Sequence, residues 1–328
     1  MTPLSAPVRV LVAGAGAFGQ EHLDRLVTRP DVRIVGVADT NPAALALLRS
    51  KLGAVERLTD PLQLIDKVEA DAIIVATPAD SHVEICTRAL GRNLAVLLEK
   101  PAAPSANAAV PLLAAERKSA GFVLPGHVLR FSQDHIRMIE IIRSGGIGEV
   151  IYVNSRRYRD DEHAVRYPHT DPVLMTLIHD IDLAQWITGS DFRSGLAHRS
   201  GGPGYRSMTA VSATSVTGVA CDLRTAWTFA GADLPPDRVE VVGDRGSVEL
   251  FVGHALHVYA EGRLATYPAA EADDPLRNEQ DHFFSCVGDR LQAPALNLEQ
   301  ALAGLRLADA AIESLRLGSE VILPPQVR

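Results

Sequence analysis

The chain has 328 residues, 47% hydrophobic and 22% charged, with 25 Gly and 20 Pro. So apolar a chain buries enough surface to offset its ordering entropy, which excludes disorder and collagen-like repeats, and its length suggests two domains. The formal net charge of -8 disfavours nucleic acid as a partner, because nucleic-acid binders displace counterions with basic faces.

Over the first 120 residues, short apolar runs alternate with helix-like stretches. Val8–Ala13, Val32–Ala38, Ala72–Ala76 and Leu94–Leu98 read as buried strands, with Phe122–Leu124 a fifth. Near-continuous apolar strands separated by helices indicate a parallel sheet covered on both faces. Asn41-Pro42 opens one of the helices, a cap residue followed by proline at the first helical position. Residues 1–125 are expected to form a doubly wound α/β (Rossmann) domain. After about residue 146 the texture changes. Glu149–Tyr158 and Ala213–Phe229 are strand-like, Arg238–Leu250 turns at Gly243–Gly246, and His257–Tyr267 turns at Glu261-Gly262. Extended runs around glycine-containing turns predict hairpins. Residues 126–328 are therefore expected to form an α+β domain with a large, mostly antiparallel open sheet. A loop is expected at Gly201–Gly204, and a last helix at about 298–315 that packs on either domain.

Gly14-Ala15-Gly16-Ala17-Phe18-Gly19 has the form GxGxxG, follows a buried-type strand and runs into a helix. The glycines allow a tight turn, close approach to a pyrophosphate and close helix–strand packing, with helix N-terminal amides facing the anion. Gly14, Gly16, Ala17, Phe18 and Gly19 are thus candidate cofactor contacts. Asp39 lies twenty residues beyond Gly19, at the end of the second strand, where a carboxylate accepts from the adenine ribose hydroxyls. The same charge repels a 2′-phosphate, so NAD is expected over NADP.

These strings, with Ala76-Thr77-Pro78 and His82, Glu99-Lys100-Pro101, Gly126–Phe131, Ile178–Asp182 and Val241–Gly246, occur in the order of a known family. Along nearly its whole length the chain resembles the glucose–fructose oxidoreductase / inositol dehydrogenase / rhizopine-catabolism (Gfo/Idh/MocA) family. The resemblance implies NAD(P)-linked redox chemistry on sugars, polyols or their derivatives, and subunits that associate through the open sheet. It implies that Lys100 contacts the reacting hydroxyl, that Glu99 lies by the cofactor, and that Thr77, Pro78 and His82 sit beside its nicotinamide half. For Glu99, simple pairing or capping stays open.

Lys100 also makes chemical sense by itself. It is one of only four lysines and follows a strand, at the edge of the sheet where ligands bind in this fold. A nicotinamide cation and partial desolvation both favour neutral lysine, a usable base. Thr170-Asp171-Pro172 starts a helix on which Met175, His179, Asp182 and Trp186 share a stripe. His179 is the second acid–base candidate, with Asp182 orienting its ring or a sugar hydroxyl. Arg130 and Tyr158 complete the substrate-binding set, beside Met175. In the family an aspartate usually stands where this chain has Met175. Asp171 is a poor substitute, since eight helical residues put it roughly 12 Å of rise away from His179. A non-catalytic or regulatory cofactor-binding protein on the same fold is therefore the alternative.

Ser155–Arg159 carries three arginines followed by Asp160, Asp161 and Glu162, and reads as a solvated, self-paired strand end. His163, Tyr167 and His169 lack metal-ligand spacing, and no metal is expected. Cys86, Cys221 and Cys286 are odd in number and far apart, so reduced thiols in a cytoplasmic protein are expected. Residues 1–8 lack the pattern of an export signal, and no run approaches the ~18 apolar residues that cross a bilayer. A homodimer or homotetramer is expected.

Overall fold

A computed structural model describes residues 6–201, 206–231, 233–289 and 295–325. Two compact units emerge: Met1–Val128 with Leu276–Leu302, and Leu129–Pro275 with Ala303–Arg328. The fold is α/β, a Rossmann unit and a second unit built on a mostly antiparallel sheet. The glycine-rich loop expected at 201–204 lies, beyond Gly201, outside the described residues.

The first unit holds six parallel strands: β1 Val8–Ala13, β2 Val32–Ala38, β3 Glu56–Leu58, β4 Ala72–Val75, β5 Ala95–Glu99 and β6 Val123–Gly126. Their order is β3-β2-β1-β4-β5-β6. Val10, Leu11, Val12, Ile73, Ile74, Val96, Leu97 and Leu98 are fully buried, because helices cover both faces and leave no residue for water. Asn41 caps its helix as expected, its side chain accepting from the Ala43 amide at 3.0 Å. β3 escapes the sequence reading: it is three residues long and carries Glu56 and Arg57.

The second unit holds β7 Val150–Asp160, β8 Phe192–Gly201, β9 Ser207–Ser215, β10 Ala220–Phe229, β11 Arg238–Gly243, β12 Gly246–Phe251, β13 Ala255–Ala260, β14 Arg263–Pro268 and β15 Val321–Ile322. The order is β14-β13-β12-β11-β7-β10-β9-β8-β15, and only β7 and β10 pair in parallel. Both predicted hairpins, β11–β12 and β13–β14, are present. The stretch read as one strand from Ala213 is instead the end of β9, a turn, and β10. Along β7, Val153, Ser155 and Arg157 are buried while Tyr152, Asn154, Arg156 and Tyr158 are half-exposed. That alternation is the period of a sheet covered on one face. Trp227, Leu223 and Arg157 point to the covered face, where Trp227 donates to the Thr176 hydroxyl at 3.0 Å.

Candidate functional site

The glycine turn is dictated by sterics. Gly14 has φ +99°, and a Cβ there would lie 2.4 Å from the Ala76 carbonyl oxygen. A Cβ on Gly19 would meet the Gly14 carbonyl oxygen at 2.1 Å, so the helix Ala17–Leu26 packs on β1 only without a side chain there. Gly16 differs: a Cβ would meet nothing within 4 Å, which leaves an open cradle at the helix N-terminus. Ala17 and Phe18, both exposed, form the first turn. Asp39 lies beside this cradle, its two oxygens accepting from the Ala15 amide at 2.6 Å and the Asn41 amide at 2.8 Å. Gly14, Gly16, Asp39, Thr77, Pro78 and Ser81 line a cleft of about 450 Å³ at the carboxyl ends of β1, β2 and β4. Its size suits a small-molecule cofactor, and the open cradle, the helix N-terminus and the strand-end carboxylate of Asp39 fit a dinucleotide. A larger cavity of about 760 Å³ opens at the amino ends of the strands, where Arg9 and Asp71 close on each other. The GxGxxG turn does not line it, so size does not select the site.

His82, expected beside the cofactor, bridges two backbone segments. It is buried, with Nε2 2.7 Å from the Thr77 carbonyl oxygen and Nδ1 2.9 Å from that of Pro101. It ties the Thr77-Pro78 turn to the segment after Lys100. Burial lowers its pKa against the pull of those two carbonyls.

Lys100 follows β5 directly and is half-buried, and its peptide bond to Pro101 is cis. Glu99 turns inward. Its Oε1 accepts from His22 Nε2 at 2.8 Å and its Oε2 from the Lys100 amide at 3.2 Å. Glu99 thus pairs with His22. Gln280 Nε2 donates to the His22 carbonyl at 3.2 Å and faces His22 Nδ1 at 3.1 Å. Nδ1 therefore accepts, and Nε2–H is the donor to Glu99. Beside them Glu279 is fully buried, with neither carboxyl oxygen paired among the described residues. Burial first, and the charge of Glu99 second, raise its pKa well above the usual carboxylate range and favour the neutral acid. Sequence reasoning missed His22, Glu279 and Gln280. The start Asp274-Pro275 and the spacing of Leu276, Phe283 and Phe284 could have found the helix Pro275–Asp289.

In the second unit Asp171 caps its helix, accepting from the Val173 amide at 2.9 Å, and also pairs with Arg199 at 2.7 Å. It is occupied and does not replace the carboxylate missing at Met175. A π-helical turn, Val173–Leu177, leads into the helix Ile178–Thr188. His179, Met175 and Trp186 are half-buried, whereas Asp182 is 2% exposed and Arg130 5%. Asp182 was expected to orient His179 or a sugar hydroxyl, and Arg130 to bind substrate. In the structure the two share a bidentate pair, Nε–Oδ2 and Nη2–Oδ1 both 2.9 Å. Tyr158 was also expected at the substrate. The pleat of β7 places it on the open face, opposite Arg157, where it stacks on Phe229 with ring centroids 5.0 Å apart. Nor is the arginine cluster a solvated strand end. Arg157 is buried and pairs with Asp180 and Asp237 rather than with the acids that follow it. Among the described residues no group of three or more His, Cys, Asp or Glu is arranged to hold a metal ion, and no helix is long and apolar enough to cross a membrane.

Residues 8–127 match the family model described as "Oxidoreductase family, NAD-binding Rossmann fold", and residues 135–249 match the Gfo/Idh/MocA C-terminal domain. The chain belongs to the Gfo/Idh/MocA oxidoreductase family. Inositol 2-dehydrogenase 2 of Saccharopolyspora erythraea is 28% identical over 321 residues, covering 94% of this chain and 93% of that protein. The crystal structure of myo-inositol 2-dehydrogenase from Lactobacillus plantarum shares the fold at TM-score 0.84 and 22% identity, over 97% of this chain and all of that one. Scyllo-inositol dehydrogenase from Lactobacillus casei, solved with NAD(H) and scyllo-inositol, shares it at TM-score 0.82 and 18% identity, over 96% of this chain and 99% of the other. This Gfo/Idh/MocA member therefore carries the family's two domains and an NAD-binding Rossmann unit.

Proposed function

We propose that the protein is an NAD-dependent dehydrogenase that transfers hydride between nicotinamide and a secondary alcohol of a cyclitol or sugar. The observation that carries this reading is Lys100 at the carboxyl end of β5, two strands from the glycine turn on β1. The inositol dehydrogenase names of its relatives support the substrate class. NAD is preferred over NADP because Asp39 would repel a 2′-phosphate. Gly14, Gly16 and Asp39 would hold NAD, which when bound would supply the acceptor for the carbinol hydride. Lys100 Nζ takes the hydroxyl proton as the carbonyl forms, which requires the neutral amine. His179 acts as the second acid–base group, and with apolar Met175 one turn earlier it works without the family's usual carboxylate. Three buried cysteines fit a reducing, cytoplasmic compartment.

Formation of NADH with a panel of inositols and aldoses tests the reading. Lys100→Ala should lower kcat by roughly 10²–10⁴, the worth of a positioned acid–base group, with NAD affinity little changed. His179→Ala should also impair turnover. Met175→Asp should shift the pH–rate profile upward, because a nearby carboxylate favours protonated His179. A non-catalytic protein predicts the reverse pattern: no wild-type turnover, and weak activity only in Met175→Asp. Wild-type rates after loss of both Lys100 and His179 would overturn the assignment.

A further inference from the structure

His179 lies between two carboxylates that never reach solvent. At 100° per helical residue, Asp180 stands about 100° to one side of it and Asp182 about 60° to the other. Each meets a buried guanidinium from a different element. Arg157 on β7 donates Nε to Asp180 Oδ2 at 3.0 Å and Nη2 to Oδ1 at 3.3 Å. Arg130, in the 3-10 turn Val128–Phe131, makes the bidentate pair with Asp182 already described. All four side chains are 5% exposed or less. The guanidiniums are held in turn: Arg157 by Asp237, and Arg130 over the Trp186 ring at 5.4 Å. Just before His179, the π-helical turn Val173–Leu177 leads into the helix.

We propose that the Arg130–Asp182 and Arg157–Asp180 pairs form a rotational clamp that fixes the direction of the His179 ring, making all four positioning residues. Buried ion pairs are poor net stabilisers, and apolar pairs of similar volume often replace them without loss. Planar, bidentate pairs from two directions do restrict rotation, which a single hydrophobic contact does not. The inference rests on the reading of His179 as an acid–base group.

The test replaces one whole pair, Arg130→Met with Asp182→Leu, and measures melting, turnover and NAD binding together. The expected result is a melting temperature near that of wild type, NAD affinity within about twofold, and kcat lowered up to ~10²-fold, the scale of a small misplacement. In a His179→Ala background the same pair of changes should lower kcat no further, because nothing remains to be positioned. Imidazole ¹⁵N spectra should show one state for the His179 ring in the wild type and exchange between states in the double variant. Should that variant fail to fold, Arg130→Lys keeps the charge but loses the fork, and a severalfold fall in kcat without a fall in melting temperature carries the same meaning. Wild-type kcat in the folded pair variant, or an equal loss with and without His179, overturns the clamp. Full turnover in His179→Ala overturns the acid–base reading itself, and the clamp falls with it; an inactive His179→Ala beside an unaffected pair variant overturns the clamp alone.

Discussion

Asp39 accepts one backbone amide on each oxygen, and each oxygen keeps a further lone pair for a ribose hydroxyl. It thus shapes the glycine turn, and in the proposed function the same charge selects NAD. Asp39→Ala should remove charge-assisted hydrogen bonds worth about 1.5–3 kcal/mol, or roughly tenfold to a hundredfold in NAD affinity. NADP binding should change little or improve, since the repulsion of its 2′-phosphate is lost. Calorimetric titration of both cofactors checks this, and a wild type that prefers NADP contradicts it. Gly14, Gly19 and Asp39 were legible in the sequence because their constraints are local: a left-handed φ, a 2.1 Å clash, a strand end. His82 and Glu99 were not. Their partners, Pro101 and His22, lie 19 and 77 residues away, and no spacing rule announces them.

At the scale of one helix, Gln133–Arg143 was absent from the sequence reading, and it buries His135 with both ring nitrogens unpaired. Burial, then the positive charge of Arg157, lowers the His135 pKa to about 3, against the opposing charge of Asp237. The unfolded value is about 6.5. A folded pKa depressed below the unfolded one means that the unfolded chain binds the proton more readily. Stability from this residue is therefore full above about pH 6.5 and is lost as pH falls from there towards 3. His135→Leu should flatten that acid limb, so that the melting temperatures of variant and wild type diverge as the pH is lowered. Parallel curves would show that His135 does not carry the acid lability. The hairpins β11–β12 and β13–β14 were legible because each closes on itself within one turn. β15 was not, since Val321–Ile322 is a strand only by virtue of β8, far away in the chain.

On the whole molecule, the open face of the nine-stranded sheet is striped by charge. Arg238, Arg156 and Arg224 stand in register across β11, β7 and β10, and Glu249, Glu240 and Asp222 form the next row. Arg238 pairs within the chain with Glu240 and Glu249, and we propose that about a twofold axis the basic row of one copy also meets the acidic row of another. We therefore expect a homodimer or homotetramer, weakened by salt because rim charges are screened. Light scattering should give a multiple of the monomer mass, and Arg156→Glu should lower it. A wild-type monomer at micromolar concentration would refute the assembly.

The sequence by itself determined the α/β character with its mostly antiparallel second sheet, the glycine turn, the strand-end lysine and the family. All of these follow from short-range sterics, the periods of helix and strand, and strings of a few residues. Only the tertiary structure decided what each charge is for. Arg130 and Asp182 are 52 residues apart, and Arg157 and Asp237 are 80. In the sequence such groups look like solvated polar residues or substrate ligands. The physical reason is that a buried charge needs a partner, and that partner is found through space, where the pleat of β7 and the roll of one helix determine which side chains meet.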